Sequence, residues 1–277
     1  MKLQGTWVWV TGASSGLGRE LARQLALEHG ANLVVSARRA DRLEALKAEL
    51  EPKVQVRTLV VDLSSLEDVE RALAEVKGIT PLSAVILNAG VTHFGHHHEL
   101  GWPEFQAMIT TNAVSSARIT TELAAHSRAT RAPISIMLVT SLQAFIPMPY
   151  FAAYSGTKGF LTNFGLALAH ELKGSGVTVQ VFTPSGIATE QTAGDRFAAV
   201  SSFLMPADVV ARKVLAALHA GTILGTSMGF LEQLGLVLER FLPRQVGIRF
   251  MGRLYRWSLE RAEASQAKLA AKGAPPR

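Results

Sequence analysis

Six short runs in this chain are apolar at nearly every position: "TWVWVTG", "NLVVSAR", "VQVRTLVVDL", "LSAVILNAG", "ISIMLVTS" and "VTVQVFTPSG". A strand with one wet face alternates apolar and polar residues, because successive side chains point to opposite faces. A run that does not alternate is buried on both faces. Between these runs lie longer stretches with apolar residues at helical spacing: "GRELARQLALEHG", "DRLEALKAEL", "LEDVERALAEV", "WPEFQAMITTNAVSSARITTELAAHSR" and the segment opened by "AAYSGTKGFL". Such alternation folds as a parallel sheet with helices on both faces, joined by right-handed crossovers. A last short strand is expected near "TILGTS". The expected fold class is therefore α/β, a doubly wound parallel sheet of about seven strands.

A chain of 277 residues, 48% hydrophobic and 18% charged, is long enough for one large α/β core. It contains no cysteine, which excludes disulfides, a thiolate nucleophile and thiolate metal ligands. The start, "MKLQGTWVWVTGASSG", lacks the length and cleavage site of a signal peptide, so a cytoplasmic location is expected. Nine of the basic residues lie between Arg240 and Arg277 against Glu260 and Glu263, a local balance of +7 within a net +6. The basicity belongs to a C-terminal extension, and the body shows no nucleic-acid-binding motif. Residues 1–225 read as one domain, and 226–277 as a basic amphipathic helical extension.

The first strand runs into "TGASSGLG", residues 11–18, which opens a helix. Gly12 permits the tight turn, Gly16 lets backbone approach a pyrophosphate, and Gly18 lets helix and strand pack closely. Ser14, Ser15 and Leu17 complete the turn. The free N–H groups of the helix start then face the phosphates. The spacing Thr-Gly-x-x-x-Gly-x-Gly resembles the short-chain dehydrogenase/reductase superfamily, over roughly residues 5–220. That resemblance implies a Rossmann-type domain and a nicotinamide cofactor.

At the end of the second strand an NAD site usually offers a carboxylate to the ribose diol. Here Ala37 takes that place and Arg38 and Arg39 follow, with Ser36 or Ser14 supplying a hydroxyl. A guanidinium binds a 2′-phosphate that an acid would repel, so the resemblance implies NADP(H). It also assigns Asp62, beside Leu63, to the adenine, and Asn88, Ala89 and Gly90 to the cofactor cleft. Pro184 and Thr189 match the family's segment after the sixth strand, where Ser185 replaces a glycine. Ile187 is the residue whose backbone would hold the nicotinamide carboxamide.

Tyr154 and Lys158 are four residues apart in a helical stretch, hence on one face. A free phenol, with a pKa near 10, is a poor base at neutral pH. A nearby cation favours the phenolate and fits the phenol for proton transfer. Ser141 ends the fifth strand, where doubly wound folds bind ligands, and its hydroxyl is suited to holding a substrate oxygen. Asn112 completes the family's tetrad. The resemblance assigns it a kink in its helix and a proton relay from Lys158. Tyr150, beside Pro147 and Pro149, reads as packing or pocket wall.

"HFGHHHEL" lacks the spacing of a metal site, so no metal is expected, while Thr92, His93 and Phe94 lie where one of them can meet substrate. Asp195, Arg196 and Phe197 fall where the family carries a mobile lid. In the tail, "FLEQLGLVLERFLP" is too interrupted by charge to span a bilayer. Arg249, Arg253 and Arg256 form one helical stripe, with Phe250, Leu254 and Trp257 beside it. Three roles for this tail stay open: a membrane-surface contact, a cap on the substrate site, or a subunit contact. The resemblance implies an NADP(H)-dependent oxidoreductase interconverting a ketone and a secondary alcohol, as a homodimer or homotetramer. The apolar loop and tail point to a lipophilic substrate. The rival reading is a non-catalytic NADP-binding sensor or scaffold.

Overall fold

The computed structural model describes residues 2–193, 196–197, 201–202, 204–229 and 244–271. The first half alternates β1 (Trp7–Thr11), α1 (Gly16–Leu27), β2 (Asn32–Ala37), α2 (Ala40–Leu50), β3 (Val56–Val60), α3 (Leu66–Lys77) and β4 (Leu82–Leu87). Then come α4 (Trp102–Ile109), α5 (Ser115–Thr130), β5 (Ile134–Val139), α6 (Ala152–Glu171) and β6 (Val177–Thr183). The chain continues through β7 (Ile187–Ala188), β8 (Met205–Pro206), α7 (Ala207–Ala220) and β9 (Leu224–Thr226) to α8 (Arg244–Ala271).

The main sheet has seven strands in the order β3-β2-β1-β4-β5-β6-β9, every pair parallel. Successive side chains within one strand enter different cores. Val8 and Val10 join Leu21, Leu46 and Val214 under α1, α2 and α7. Trp7 and Trp9 join Leu73, Ile119 and Leu161 under α3, α5 and α6. The same split separates Ala84 and Ile86 from Val85 and Leu87. This is why the strand sequences do not alternate: both faces are dry.

The strand order reverses between β1 and β4, so the connections leaving their carboxyl ends run to opposite faces of the sheet and leave a cleft there. α6 comes close to the sheet because Gly165 has no side chain. A Cβ there would lie 2.6 Å from both Leu138 Cδ1 and Val181 Cγ2.

Two expectations are corrected. The single long helix over 102–128 is broken by a π-helical turn, Thr110–Val114, between α4 and α5. α7 was not anticipated, although Val210, Val214 and Leu218 recur at helical spacing and Gly221 ends the helix at φ 68°. The segment "FLEQLGLVLERFLP" lies outside the described residues, as does Asp195.

Candidate active site

The turn after β1 is built by exclusion of side chains. Gly12 has φ +71°, and a Cβ there would lie 2.9 Å from Ala89 Cα. A Cβ on Gly18 would run into the Gly12 carbonyl and the Asn88 amide. Thr11 Oγ1 accepts from the N–H of Asn88 (3.0 Å) and Ala89 (3.1 Å), tying the ends of β1 and β4 together. Ser15 sits at the N-cap of α1, but its side chain makes no capping hydrogen bond. A tight glycine turn before an uncapped helix start in the switch-point cleft fits the pyrophosphate of a dinucleotide.

The residues expected at the adenosine end separate into two groups. Arg39 reaches over the turn, donating to Ser14 Oγ (2.9 Å), Ser15 Oγ (2.7 Å) and Glu190 Oε2 (3.1 Å). Arg38 is exposed and makes no hydrogen bond or ion pair among the described residues. Ser36 departs from expectation. Its hydroxyl is 2% exposed and accepts from the indole of Trp9 at 2.9 Å. The strand's pleat turns it into the core, and only its carbonyl serves the turn, accepting from Gly12 N–H at 2.8 Å. Asp62 Oδ1 accepts from the backbone N–H and hydroxyl of Ser64. The Leu63 carbonyl accepts from Ser115 Oγ.

The segment after β6 folds back over this cleft. The Pro184 carbonyl accepts from Leu142 N–H. Ser185, at the family's glycine position, donates its N–H to Ser227 Oγ at 2.8 Å. The Ile187 carbonyl accepts from Thr192 Oγ1 at 2.7 Å. Thr189 lies against Gly16, where a Cβ would be 2.9 Å from its Cγ2. Gln191 donates to the Gly90 carbonyl at 2.9 Å.

Asn112, Ser141, Tyr154 and Lys158 are brought to one end of the sheet. The π turn places Asn112, fully buried, against the extension of β4. Its Oδ1 accepts from Val91 N–H (2.9 Å), and its Nδ2 donates to the Val91 carbonyl (2.9 Å) and Thr157 Oγ1 (3.1 Å). Single π turns of this kind are frequent at functional sites. Lys158, 3% exposed, donates to the Val139 carbonyl at 3.1 Å. Its Nζ lies 5.8 Å from the Tyr154 ring centre. A Cβ on Gly90 would sit 3.3 Å from Lys158 Nζ and 3.4 Å from Asn112 Oδ1, so the three elements meet at Gly90.

The electrostatics differ from the simplest expectation. Burial pushes the Tyr154 phenol up, with the Ser141 hydroxyl acting in the opposite direction. Burial also brings the Lys158 ammonium down to about 8. The expectation was a phenol lowered by its lysine. In this structure desolvation dominates both groups, and Lys158 donates to the Val139 carbonyl with its Nζ 5.8 Å from the ring centre.

An apolar cluster packs beside Tyr154. Phe94, Met148, Phe151 and Leu259 are buried there, with Tyr150, Tyr154 and Tyr255 packed against them. Phe94 and Phe151 stack at 4.5 Å, and Tyr255 meets Phe151 edge-on at 5.1 Å. Tyr150, read from sequence as packing or pocket wall, packs against this cluster at φ 68°. Its hydroxyl accepts from Arg256 Nε at 3.1 Å. A bulky residue at such φ is strained, and here the contact with α8 helps hold it.

α8 therefore packs onto this cluster: Met251, Tyr255 and Leu259 face inward, and Ser258 Oγ donates to the Arg196 carbonyl at 2.8 Å. Burying Leu259 alone contributes about 1.5–3 kcal/mol. The i, i+4, i+8 spacing of these three residues was legible, but the apolar stripe chosen from sequence was its neighbour. Phe250 and Trp257 of that stripe are 67% and 48% exposed. Sequence reasoning also missed Thr11, Glu190 and Gln143, whose buried Oε1 lacks a partner among the described residues.

A doubly wound sheet with a tight glycine turn at its switch point, and a serine and a tyrosine beside a buried lysine at its carboxyl end, has the architecture of a dinucleotide-binding protein. Residues 6–198 match the family model described as short chain dehydrogenase, and the chain belongs to that family. Its relatives include very-long-chain 3-oxoacyl-CoA reductases. That of Neurospora crassa is 35% identical over 190 residues, covering 64% of this chain and 55% of the relative. That of Podospora anserina is 38% identical over 184 residues, covering 64% and 53%. The chain thus spans about half the length of the curated relatives it matches. Among solved structures, a short-chain dehydrogenase from Sphingobium yanoikuyae in complex with NADPH shares the fold. Its TM-score is 0.75 at 24% identity, covering 86% of this chain and 96% of that one.

Proposed function

We propose that this chain is an NADP(H)-dependent oxidoreductase that interconverts a ketone and a secondary alcohol on a long apolar substrate. The observation that carries the reading is the meeting of Tyr154, beside Ser141, and buried Lys158 next to a cluster of aromatic side chains. A bound nicotinamide supplies or accepts the hydride. Ser141 holds the substrate oxygen, and Tyr154 gives that oxygen a proton in the reducing direction and takes it back in the oxidising one. Lys158 sets the phenol's charge balance, and Asn112 fixes the turn over Gly90. Gly12, Gly16 and Gly18 admit the pyrophosphate, and Arg39 with Ser14 takes a 2′-phosphate. The names of the relatives and the apolar side chains beside Tyr154 favour 3-oxoacyl thioesters and bulky ketones.

The test is oxidation of NADPH with carbonyls of graded chain length. Turnover is expected to rise from short polar sugars to long-chain 3-oxoacyl thioesters by about tenfold or more, since each buried CH₂ contributes about 0.8 kcal/mol. Preference for the sugars overturns the substrate class. Tight NADPH binding with no turnover on any carbonyl favours the non-catalytic reading.

The outer face of α8 supports a peripheral membrane contact within the same proposal. Val246, Phe250 and Trp257 are exposed on it, with Arg249, Arg253 and Arg256 alongside. Apolar and aromatic groups flanked by arginines suit an anionic bilayer surface. Among the described residues no helix is long and apolar enough to cross a membrane. Sedimentation with vesicles is expected to require anionic lipid, and the double change Phe250→Ser and Trp257→Ser to weaken it about tenfold or more. Equal binding to neutral vesicles sinks this contact. Oligomerisation as a dimer or tetramer belongs to the same proposal: the apolar groove between α4 and α6, lined by Ile109, Val114, Ala153 and Phe160, suits a second copy.

A further inference from the structure

We propose that Glu190 is an internal rival of the cofactor's 2′-phosphate. It latches the segment after β6 over the glycine turn and yields its arginines when a phosphomonoester arrives. The inference rests on the reading of Arg39 as a phosphate-binding residue, and its test separates the two.

The Glu190 carboxylate is held by two guanidinium groups. One oxygen accepts from Arg39 Nη1 at 3.1 Å, and the other pairs with Arg42 on the first turn of α2. Both arginines keep its carboxyl below the usual range, Arg42 more than Arg39, so the group is an anion at neutral pH. The remaining side of Arg39 is occupied as well. Its Nη2 donates to both Ser14 and Ser15, and its Nε to Ser14 at 3.2 Å. A guanidinium has five N–H donors in one rigid fork, and here four of the five are already used.

A phosphate that binds Arg39 bidentately must therefore displace existing partners. The hydroxyls of Ser14 and Ser15 can rotate to donate to it, because a hydroxyl both gives and accepts. An ionised carboxylate has no proton to give and is repelled. Glu190 is the contact that has to break. A 2′-hydroxyl brings no charge and leaves the latch in place.

Glu190 belongs to a segment otherwise fastened to the cleft. Thr189 packs on Gly16, and Gln191 donates to the Gly90 carbonyl. The latch thus lies within the segment that covers the glycine turn. It lowers the affinity for a phosphorylated cofactor and makes release of the cover specific to one. The residue is exposed, with 56% of its side chain in solvent, so its substitution leaves the core untouched.

The experiment measures dissociation constants of NADPH and NADH by fluorescence titration for the parent, Glu190→Gln and Arg39→Ala, with amide hydrogen exchange of residues 187–193. For Glu190→Gln, NADPH binding is expected to tighten roughly two- to fivefold, the range of an exposed ion pair, with NADH unchanged. In the parent, NADPH but not NADH is expected to speed exchange at residues 190–192. An unchanged NADPH-to-NADH ratio in Glu190→Gln, or an equal shift for both cofactors, overturns the latch. If Arg39→Ala leaves the parent's cofactor preference intact, the phosphate reading of Arg39 fails independently, whichever way Glu190→Gln behaves.

Discussion

Tyr154→Phe is expected to lower turnover by about 10²–10⁴-fold, the range typical of a positioned general acid or base. NADPH affinity is expected to stay within about twofold, because the hydroxyl lost is aimed at the substrate oxygen rather than at the phosphates. The substitution keeps the ring, and with it the packing against Phe151 at 6.4 Å. The effect is then a loss of proton transfer rather than of fold. The pH profile carries a second signature. Carbonyl reduction needs the protonated phenol, which burial favours. The parent's reduction rate should hold through neutral pH and change as Lys158 titrates near its value of about 8. Steady-state rates between pH 6 and 10 check both statements, and a Phe variant with parental turnover removes Tyr154 from the chemistry.

Lys158→Met is expected to abolish activity and yet stabilise the fold. The ammonium is 3% exposed and its pKa falls from 10.5 to about 8. A base with a depressed folded-state pKa binds fewer protons folded than unfolded between those two values. Stability from this group therefore rises with pH across about 8 to 10.5. Below pH 8 the buried charge costs its full amount, on the order of 3 kcal/mol from the shift. Methionine keeps the volume and loses the bond to the Val139 carbonyl, so the net gain at pH 7 is about 1–3 kcal/mol. Denaturant titration of both proteins from pH 7 to 10.5 checks it. The variant's advantage should shrink with rising pH, and a gap that widens contradicts the assignment.

That cost explains why part of the site was legible and part was not. A lysine four residues after a tyrosine, both following a strand-end serine, marks three groups through their order and spacing, which match the family resemblance, and helix period and strand end fix where each must lie. The glycines of the first turn were legible for the same reason: only a missing Cβ fits where Gly12 and Gly18 meet Ala89 and Asn88. Ser36 was misplaced because one residue of pleat decides between cleft and core, and Trp9 supplied a partner on the core side. Glu190 was invisible because its arginines stand 151 and 148 positions away.

The sequence by itself determined the doubly wound sheet, the glycine turn and the placing of Tyr154 and Lys158 on one helical face. These follow from local rules: unbroken apolar strands, glycine where no side chain fits, and a fixed rise per helical residue. Only the tertiary structure decided which of these groups share a dry space. It chose the inward face of α8, turned the expected lowering of the tyrosine's pKa into a rise, and set a carboxylate against the arginine read as the phosphate's partner. Desolvation and long-range ion pairing depend on which distant segments meet, and no window of sequence contains that information.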